Sequence, residues 1–242
     1  MIKVFADQEA LARAAAEFFA AQARQAVAAR GRFLVLLAGG ETPRRTYQLL
    51  AQDPLRRQIP WREVHFFWGD ERCVPSDDPR SNAAMAQRSL LDRLPLRPEQ
   101  IHSIRYDRSP QASADRYQAE LTDFFAGAAP CFDLALLGIG NDGHTASLLP
   151  GSAALEEQVR WTAVTRRREE DFSRITLTAP IINQATVVLF LVAGADKAAM
   201  LAKILNAPTE TIQYPAQRIR PRSGELRWWA DRAAAGLLDE SV

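Results

Sequence analysis

Asn141-Asp142-Gly143-His144-Thr145 puts a carboxylate and an imidazole two positions apart, beside a glycine, just past the apolar run 134–137. Imidazole titrates closest to neutrality of all side chains, so it suits a general base, and a carboxylate beside it can fix its orientation. Only three histidines occur: His65, His102 and His144. His65 falls inside an apolar stretch and reads as a satisfied core residue; His102 falls in a loop after Pro98. None shares H-E-x-x-H or another ligand spacing with His144, so no metal site is expected. His144 is therefore the candidate base, with Asp142 either orienting it or merely preceding it.

Other loops carry complementary chemistry. Gly39-Gly40-Glu41-Thr42-Pro43 has the form of a phosphate-binding turn entering a helix, with Thr42 as the expected N-cap and Pro43 at the first helical position. Backbone amides at Gly39 and Gly40, with the helix N-terminus, could hold an anion, although an ordinary strand-to-helix turn looks the same. Of the 30 basic residues, Lys3, Lys197 and Lys203 are the lysines, so Lys197 at a helix start after Gly194 is a second phosphate candidate; otherwise it is a solvated first-turn lysine. Arg174 is a third. Asp70-Glu71-Arg72 could hold sugar hydroxyls, orient a histidine or stabilise an oxyanion, or could be a surface ion-pair cluster. Arg80-Ser81-Asn82 supplies a polar loop, in which capping alone would explain Asn82.

Two apparent motifs carry less than they promise. Gly138-Ile139-Gly140-Asn141-Asp142-Gly143 fits G-x-G-x-x-G after a strand, but Pro150-Gly151 interrupts any following helix, and Asp142 would face a pyrophosphate. The glycines make better sense as a turn exposing Asp142 and His144, which leaves a dehydrogenase without support. No G-x-S-x-G elbow or Walker sequence occurs.

These loops need a scaffold, and the pattern supplies one. Continuous apolar runs at 33–37, 64–68, 134–137 and 187–192 read as strands buried on both faces. Helical patterns at 9–29, 43–52, 82–94, 112–125 and 196–205 alternate with them, and 226–230 followed by 231–238 reads as a last strand and terminal helix. Alternation of this kind predicts a three-layer α/β/α, Rossmann-like fold with a mostly parallel sheet, formed by one domain over residues 1–242. Pro-containing turns near 54, 75–79, 95–98 and 208 punctuate it without a linker. Parallel strands bring every loop named above to one sheet edge, where such sheets bind ligands.

Composition sets outer bounds. The net charge is +1 over 242 residues, with 24% charged, which gives no expectation of a nucleic-acid or membrane surface. Two cysteines make no disulfide framework, and the start lacks a secretory signal, so a cytoplasmic protein is expected.

Three segments together identify a resemblance. Leu37-Ala38-Gly39-Gly40-Glu41-Thr42-Pro43, Trp68-Gly69-Asp70-Glu71-Arg72-Cys73-Val74-Pro75 with Asp78-Pro79-Arg80-Ser81-Asn82, and Leu137 to Ser147 through Asp142-Gly143-His144-Thr145 resemble the 6-phosphogluconolactonase family, in order over nearly the whole chain. Arg174-Ile175-Thr176-Leu177-Thr178 and Gly194-Ala195-Asp196-Lys197 extend the likeness. The resemblance implies a Rossmann-like fold and hydrolysis of 6-phospho-D-glucono-1,5-lactone to 6-phosphogluconate, the second step of the oxidative pentose phosphate pathway. It implies His144 as the base that activates water, Arg72 near the substrate, and Gly39, Gly40, Thr42 and Lys197 on the phosphate. Arg80, Asn82 and Arg174 join the candidate binding set, and Asp142 and Asp70 the catalytic one. A sugar-phosphate lactone is the expected partner, with no metal or organic cofactor. A related glucosamine-6-phosphate deaminase is the alternative, but Thr145-Ala146-Ser147-Leu148-Leu149-Pro150 lacks the carboxylate such enzymes resemble one another in carrying there. A sugar-phosphate-binding protein without catalysis is the other alternative.

Overall fold

A computed structural model describes residues 2–206 and 212–238 of the chain. In chain order its elements are β1 (Ile2–Phe5), α1 (Gln8–Arg30), β2 (Phe33–Leu37), α2 (Glu41–Leu50), α3 (Leu55–Gln58), β3 (Val64–Trp68), β4 (Asp70–Arg72), α4 (Asn82–Ser89), β5 (Ile101–His102) and α5 (Pro110–Phe124). They continue as β6 (Leu134–Leu137), β7 (Thr162–Arg166), β8 (Ser173–Leu177), α6 (Ala179–Ile182), β9 (Val187–Val192), α7 (Ala198–Asn206) and β10 (Glu225–Asp231).

Seven strands form one parallel sheet in the order β1-β10-β9-β6-β2-β3-β5. Its central strands are buried along their whole length, which is why β2 (FLVLL) and β9 (VVLFLV) are apolar without alternation. Helices cover the sheet. Helix α1 starts where the Asp7 carboxylate accepts the Ala10 N–H at 2.8 Å, and it buries Leu11, Ala12, Ala15, Ala16, Phe19, Ala20 and Ala23 at helical spacing. The described buried side chains make one continuous core, in the single-domain α/β fold expected.

One topological detail decides where the chemistry sits. From β2 the chain moves outward to β3 and β5, then returns to place β6 on the other side of β2 and moves away through β9. The connections leaving β2 and β6 therefore diverge, opening a crevice beyond the carboxyl ends of two adjacent strands. Gly39 and Gly40 follow β2; Asp142 and His144 follow β6.

The structure departs from expectation in several of its elements. A second, antiparallel sheet in the order β4-β8-β7 rises past that edge, pairing Asp70 with Thr176 and Arg72 with Arg174. Residues 232–237 form turns rather than a terminal helix, although Asp231 accepts the Ala234 N–H as a helix cap would; its carboxylate also accepts the Gly194 N–H and ties the chain to the end of β9. The helix expected over 82–94 ends at Ser89, where Leu90 leaves helical geometry before a 3-10 turn at Leu91–Arg93. A 3-10 turn also covers Ala195–Lys197, so α7 begins at Ala198. His102 lies on β5 rather than in a loop, buried between the His65 ring and Glu120, which bond its two nitrogens at 3.1 Å each. The turn near Pro208 lies outside the described residues. No helix among those described is long and apolar enough to cross a membrane.

Glu71 fastens the second sheet to α4. Its buried carboxylate accepts the N–H groups of Arg72, Asn82 and Ala83 and the Ser81 hydroxyl. Burial nevertheless pushes its pKa up, against these bonds. Glu71→Ala leaves buried donors unpaired, so urea unfolding should show a loss of roughly 2–3 kcal/mol, whereas substituting exposed Glu17 should change little.

Candidate active site

The crevice is a cleft of about 520 Å³ lined by Gly39, Gly40, Thr42, Asp70, Arg72, Asn82, Gly140, His144, Arg174 and Lys197 among others. Ten of the eleven residues singled out from sequence thus come together or touch, since Asp142 sits immediately behind His144. Arg80 stands apart. Its exposed guanidinium is engaged by Asp78 and Asp171, and it lines a neighbouring groove rather than the cleft; only its backbone carbonyl reaches inward, accepting from Arg72 Nη1 at 2.5 Å.

A tight turn makes the dyad. Gly143 N–H donates to the Gly140 carbonyl at 3.0 Å, and Gly140 N–H to the His144 carbonyl at 2.9 Å. The closure brings Asp142 Oδ1 to 2.5 Å from His144 Nδ1, and the same oxygen accepts the His144 backbone N–H at 3.1 Å. No helix follows, so G-x-G-x-x-G is a turn here. Burial lowers the His144 pKa below the ordinary 6.5, with Arg167 pushing the same way while Asp142 and Asp70 pull it up. For Asp142, burial raises the carboxyl pKa, but the contact with His144 and the Arg167 charge outweigh it, holding the group down to about 2. An ionised Asp142 accepts from Nδ1–H, which leaves Nε2 as the free basic nitrogen.

Opposite lies the glycine turn. The N-cap of α2 is Gly40, not Thr42: the chain becomes helical two residues earlier, so Thr42 and Pro43 sit within the first turn and Thr42 is buried at the cleft wall. Glu41 is exposed and pairs with Arg44, which offsets its charge at the rim of the cleft. Lys197 bridges the two sides, with Nζ 2.5 Å from Asn141 Oδ1 and 3.2 Å from Asp196 Oδ2. The cleft thus offers amide donors, an ammonium and a helix N-terminus at one side and an unprotonated imidazole at the other.

The second sheet supplies the floor. Buried Asp70 accepts the Ser147 hydroxyl at 2.5 Å and Asn82 Nδ2 at 3.2 Å, and lies 4.0 Å from Arg174 Nη1. Asn82 is not the cap of α4: Ser81 is, accepting the Ala84 N–H, and Asn82 instead bonds Asp70 and presses Oδ1 against Gly39. A Cβ on Gly39 would lie 2.0 Å from that oxygen, so glycine is required by close approach. Sequence reasoning missed Arg167 and Glu170. Arg167 Nη2 lies 2.8 Å from Asp142 Oδ2 and 2.7 Å from His144 Nδ1, and the two Glu170 carboxylate oxygens accept from Arg174 Nε and Nη2 at 2.7 and 2.5 Å. Both belong to Arg166-Arg167-Arg168-Glu169-Glu170-Asp171, a charge run whose pattern signals a solvated loop.

A parallel sheet with a glycine turn entering a helix and an imidazole–carboxylate pair facing one cleft at its switch point is the arrangement of an α/β enzyme. Comparison with known proteins sharpens the class. A family profile described as glucosamine-6-phosphate isomerases/6-phosphogluconolactonase matches residues 6–228, and the chain belongs to that family. A 6-phosphogluconolactonase of Nostoc sp. is 39% identical over 98% of both chains. The solved 6-phosphogluconolactonase of Trypanosoma brucei superposes with a TM-score of 0.85 at 28% identity, over 99% of this chain and 98% of that one. A monomeric glucosamine-6-phosphate deaminase shares the fold, with a TM-score of 0.82 at 22% identity over 98% and 99% of the two chains.

Gly140 has no room for a side chain: a Cβ would meet His144 Nδ1 at 1.9 Å and Asp142 Oδ1 at 2.7 Å. Gly140→Ala should therefore displace the His144 imidazole resonances in an NMR spectrum of the folded protein while leaving those of His65 and His102 in place.

Proposed function

We propose that the chain hydrolyses 6-phospho-D-glucono-1,5-lactone to 6-phospho-D-gluconate in the oxidative pentose phosphate pathway, with His144 as general base. The observation that carries this reading is that His144 and the Gly39-Gly40 turn line one cleft from two adjacent strands. The 6-phosphogluconolactonase relatives that match nearly end to end support the same substrate.

The phosphate docks against the amides of Gly39 and Gly40, with Thr42 and Lys197 beside it, and anchors the sugar so that C1 lies near His144. Nε2 takes a proton from a water whose oxygen attacks the C1 carbonyl. The electron pair of that carbonyl moves onto its oxygen, where the Arg72 guanidinium balances the developing charge. Collapse of the tetrahedral intermediate breaks the bond from C1 to the ring oxygen, and the imidazolium returns its proton to that oxygen. Asp142 fixes the tautomer throughout, while Asp70 acts through Ser147, Asn82 and Arg174 rather than on substrate. Ring opening of a lactone needs proton transfer and charge stabilisation only, so no metal or organic cofactor enters the scheme. Free Cys73 and Cys131 support placing the protein in the reducing cytoplasm.

Two measurements test the scheme. In an assay following lactone disappearance above its spontaneous opening, His144→Ala should lower kcat by about 10²–10⁴-fold. Lys197→Ala should reduce kcat/KM by roughly 10–100-fold, as expected for a charge-assisted phosphate contact. Unchanged turnover in His144→Ala, or ammonia release from glucosamine 6-phosphate at a comparable rate, would refute the reading. The pH profile has a definite sign. The base works neutral and is lost on protonation, so kcat/KM should fall as pH drops through a value below 6.5 and stay level above it.

A further inference from the structure

We infer that Arg167, on the loop joining β7 to β8, is a positioning residue of this site: it pins the far oxygen of Asp142 and limits how strongly that carboxylate raises the basicity of His144. The inference rests on His144 being the base and adds a residue to that reading.

The geometry around Nδ1 is crowded. Asp142 Oδ1 lies 2.5 Å from it and Arg167 Nη2 2.7 Å from it. A guanidinium has only donors, and an ionised carboxylate only acceptors, so the two cannot both bond this nitrogen in one tautomer. With Asp142 ionised, Nδ1 carries the hydrogen and gives it to Oδ1. Arg167 then has one good acceptor there, Asp142 Oδ2 at 2.8 Å. Each carboxylate oxygen is thereby assigned: Oδ1 to the imidazole, Oδ2 to the guanidinium. The carboxylate cannot rotate without losing one bond, which keeps the ring fixed and Nε2 facing the cleft.

The same arrangement sets a charge balance. Asp142 alone beside a buried imidazole would favour imidazolium, a form that cannot accept the proton of water. Arg167 offsets part of that pull from a similar distance. The other charged groups lining the cleft with His144 are Asp70 and Arg72 of β4, Arg174 of β8 held by Glu170, Glu41 paired with Arg44, and Lys197, bonded to Asn141 and beside Asp196. Of these, Arg167 is the cation in direct contact with the dyad. Its own loop turns it inward: Arg166 and Arg168 are exposed, whereas Arg167 is about three-quarters covered, with Glu170 Oε1 3.8 Å from its Nε. That pattern separates it from the solvated arginines on either side.

The test reads the imidazole directly. The chain has three histidines, so the His144 NMR titration can be followed in the intact protein and assigned by comparison with His144→Ala. Removing a contacting charge should raise the His144 titration in Arg167→Gln by roughly one pH unit, and the acid limb of kcat/KM should rise with it. Arg167→Lys should recover most of the wild-type midpoint. Arg167→Met should reproduce the glutamine result, since charge loss is the cause. An unmoved His144 titration in a folded Arg167→Gln protein overturns the inference. A titration that moves while the rate profile stays fixed also removes Arg167 from the reaction, but by showing that His144 is not the base.

Discussion

The hydrogen bond from His144 Nδ1–H to Asp142 Oδ1 is the constraint on which the site depends. Residues two apart in a chain face each other only if the backbone between them folds back, and here the bonds linking Gly140 to Gly143 and to His144 enforce that return. The absence of a side chain at Gly140 leaves room for the ring. The direction of Nε2 and the tautomer follow from this contact, while burial outweighs the pull of Asp142 and lowers the His144 pKa.

Position follows from topology. Because β6 returns to the other side of β2, the two loops that must cooperate are neighbours at the point where the sheet connections diverge. Strand adjacency therefore does what a long reach of side chains would otherwise have to do. The antiparallel sheet then closes one wall, and its register sets Arg72 opposite Arg174. Two guanidiniums side by side would repel. Glu170 and Asp70 neutralise Arg174 from either side, while Arg72 rests on the Arg80 carbonyl and stays directed to the cleft. A net of paired charges in a half-buried site is stiff, and stiffness is what orientation of a small substrate requires.

How far the sequence discloses this varies with the physical signal. β2, β3, β6 and β9 are legible because a strand covered on both faces must be apolar throughout, and the glycines after them mark the functional edge. The α4 cap and the start of α2 are off by one or two residues, since several small polar residues there could serve. The terminal segment has a helical composition, Arg232-Ala233-Ala234-Ala235, and a capping contact from Asp231 to the Ala234 N–H, yet it closes only turns, an outcome that local propensity does not report. The small sheet is too short for period-two alternation to stand out: β4 has three residues, all charged. Arg167 is hidden for a different reason. In a run of three arginines and three acids, only the three-dimensional path of the loop distinguishes the inward side chain from its neighbours.

The central claim is a shared hollow in which one end holds phosphate and the other holds the base, and a crystal structure with the product 6-phosphogluconate bound would test it most directly. The account predicts phosphate oxygens on the amides of Gly39 and Gly40 and near Lys197, with the C1 carboxylate within reach of His144 Nε2, directly or through one water, at hydrogen-bond distances of about 2.6–3.2 Å. A product whose phosphate lies instead in the groove beside Arg80, or whose C1 points away from His144, would contradict it.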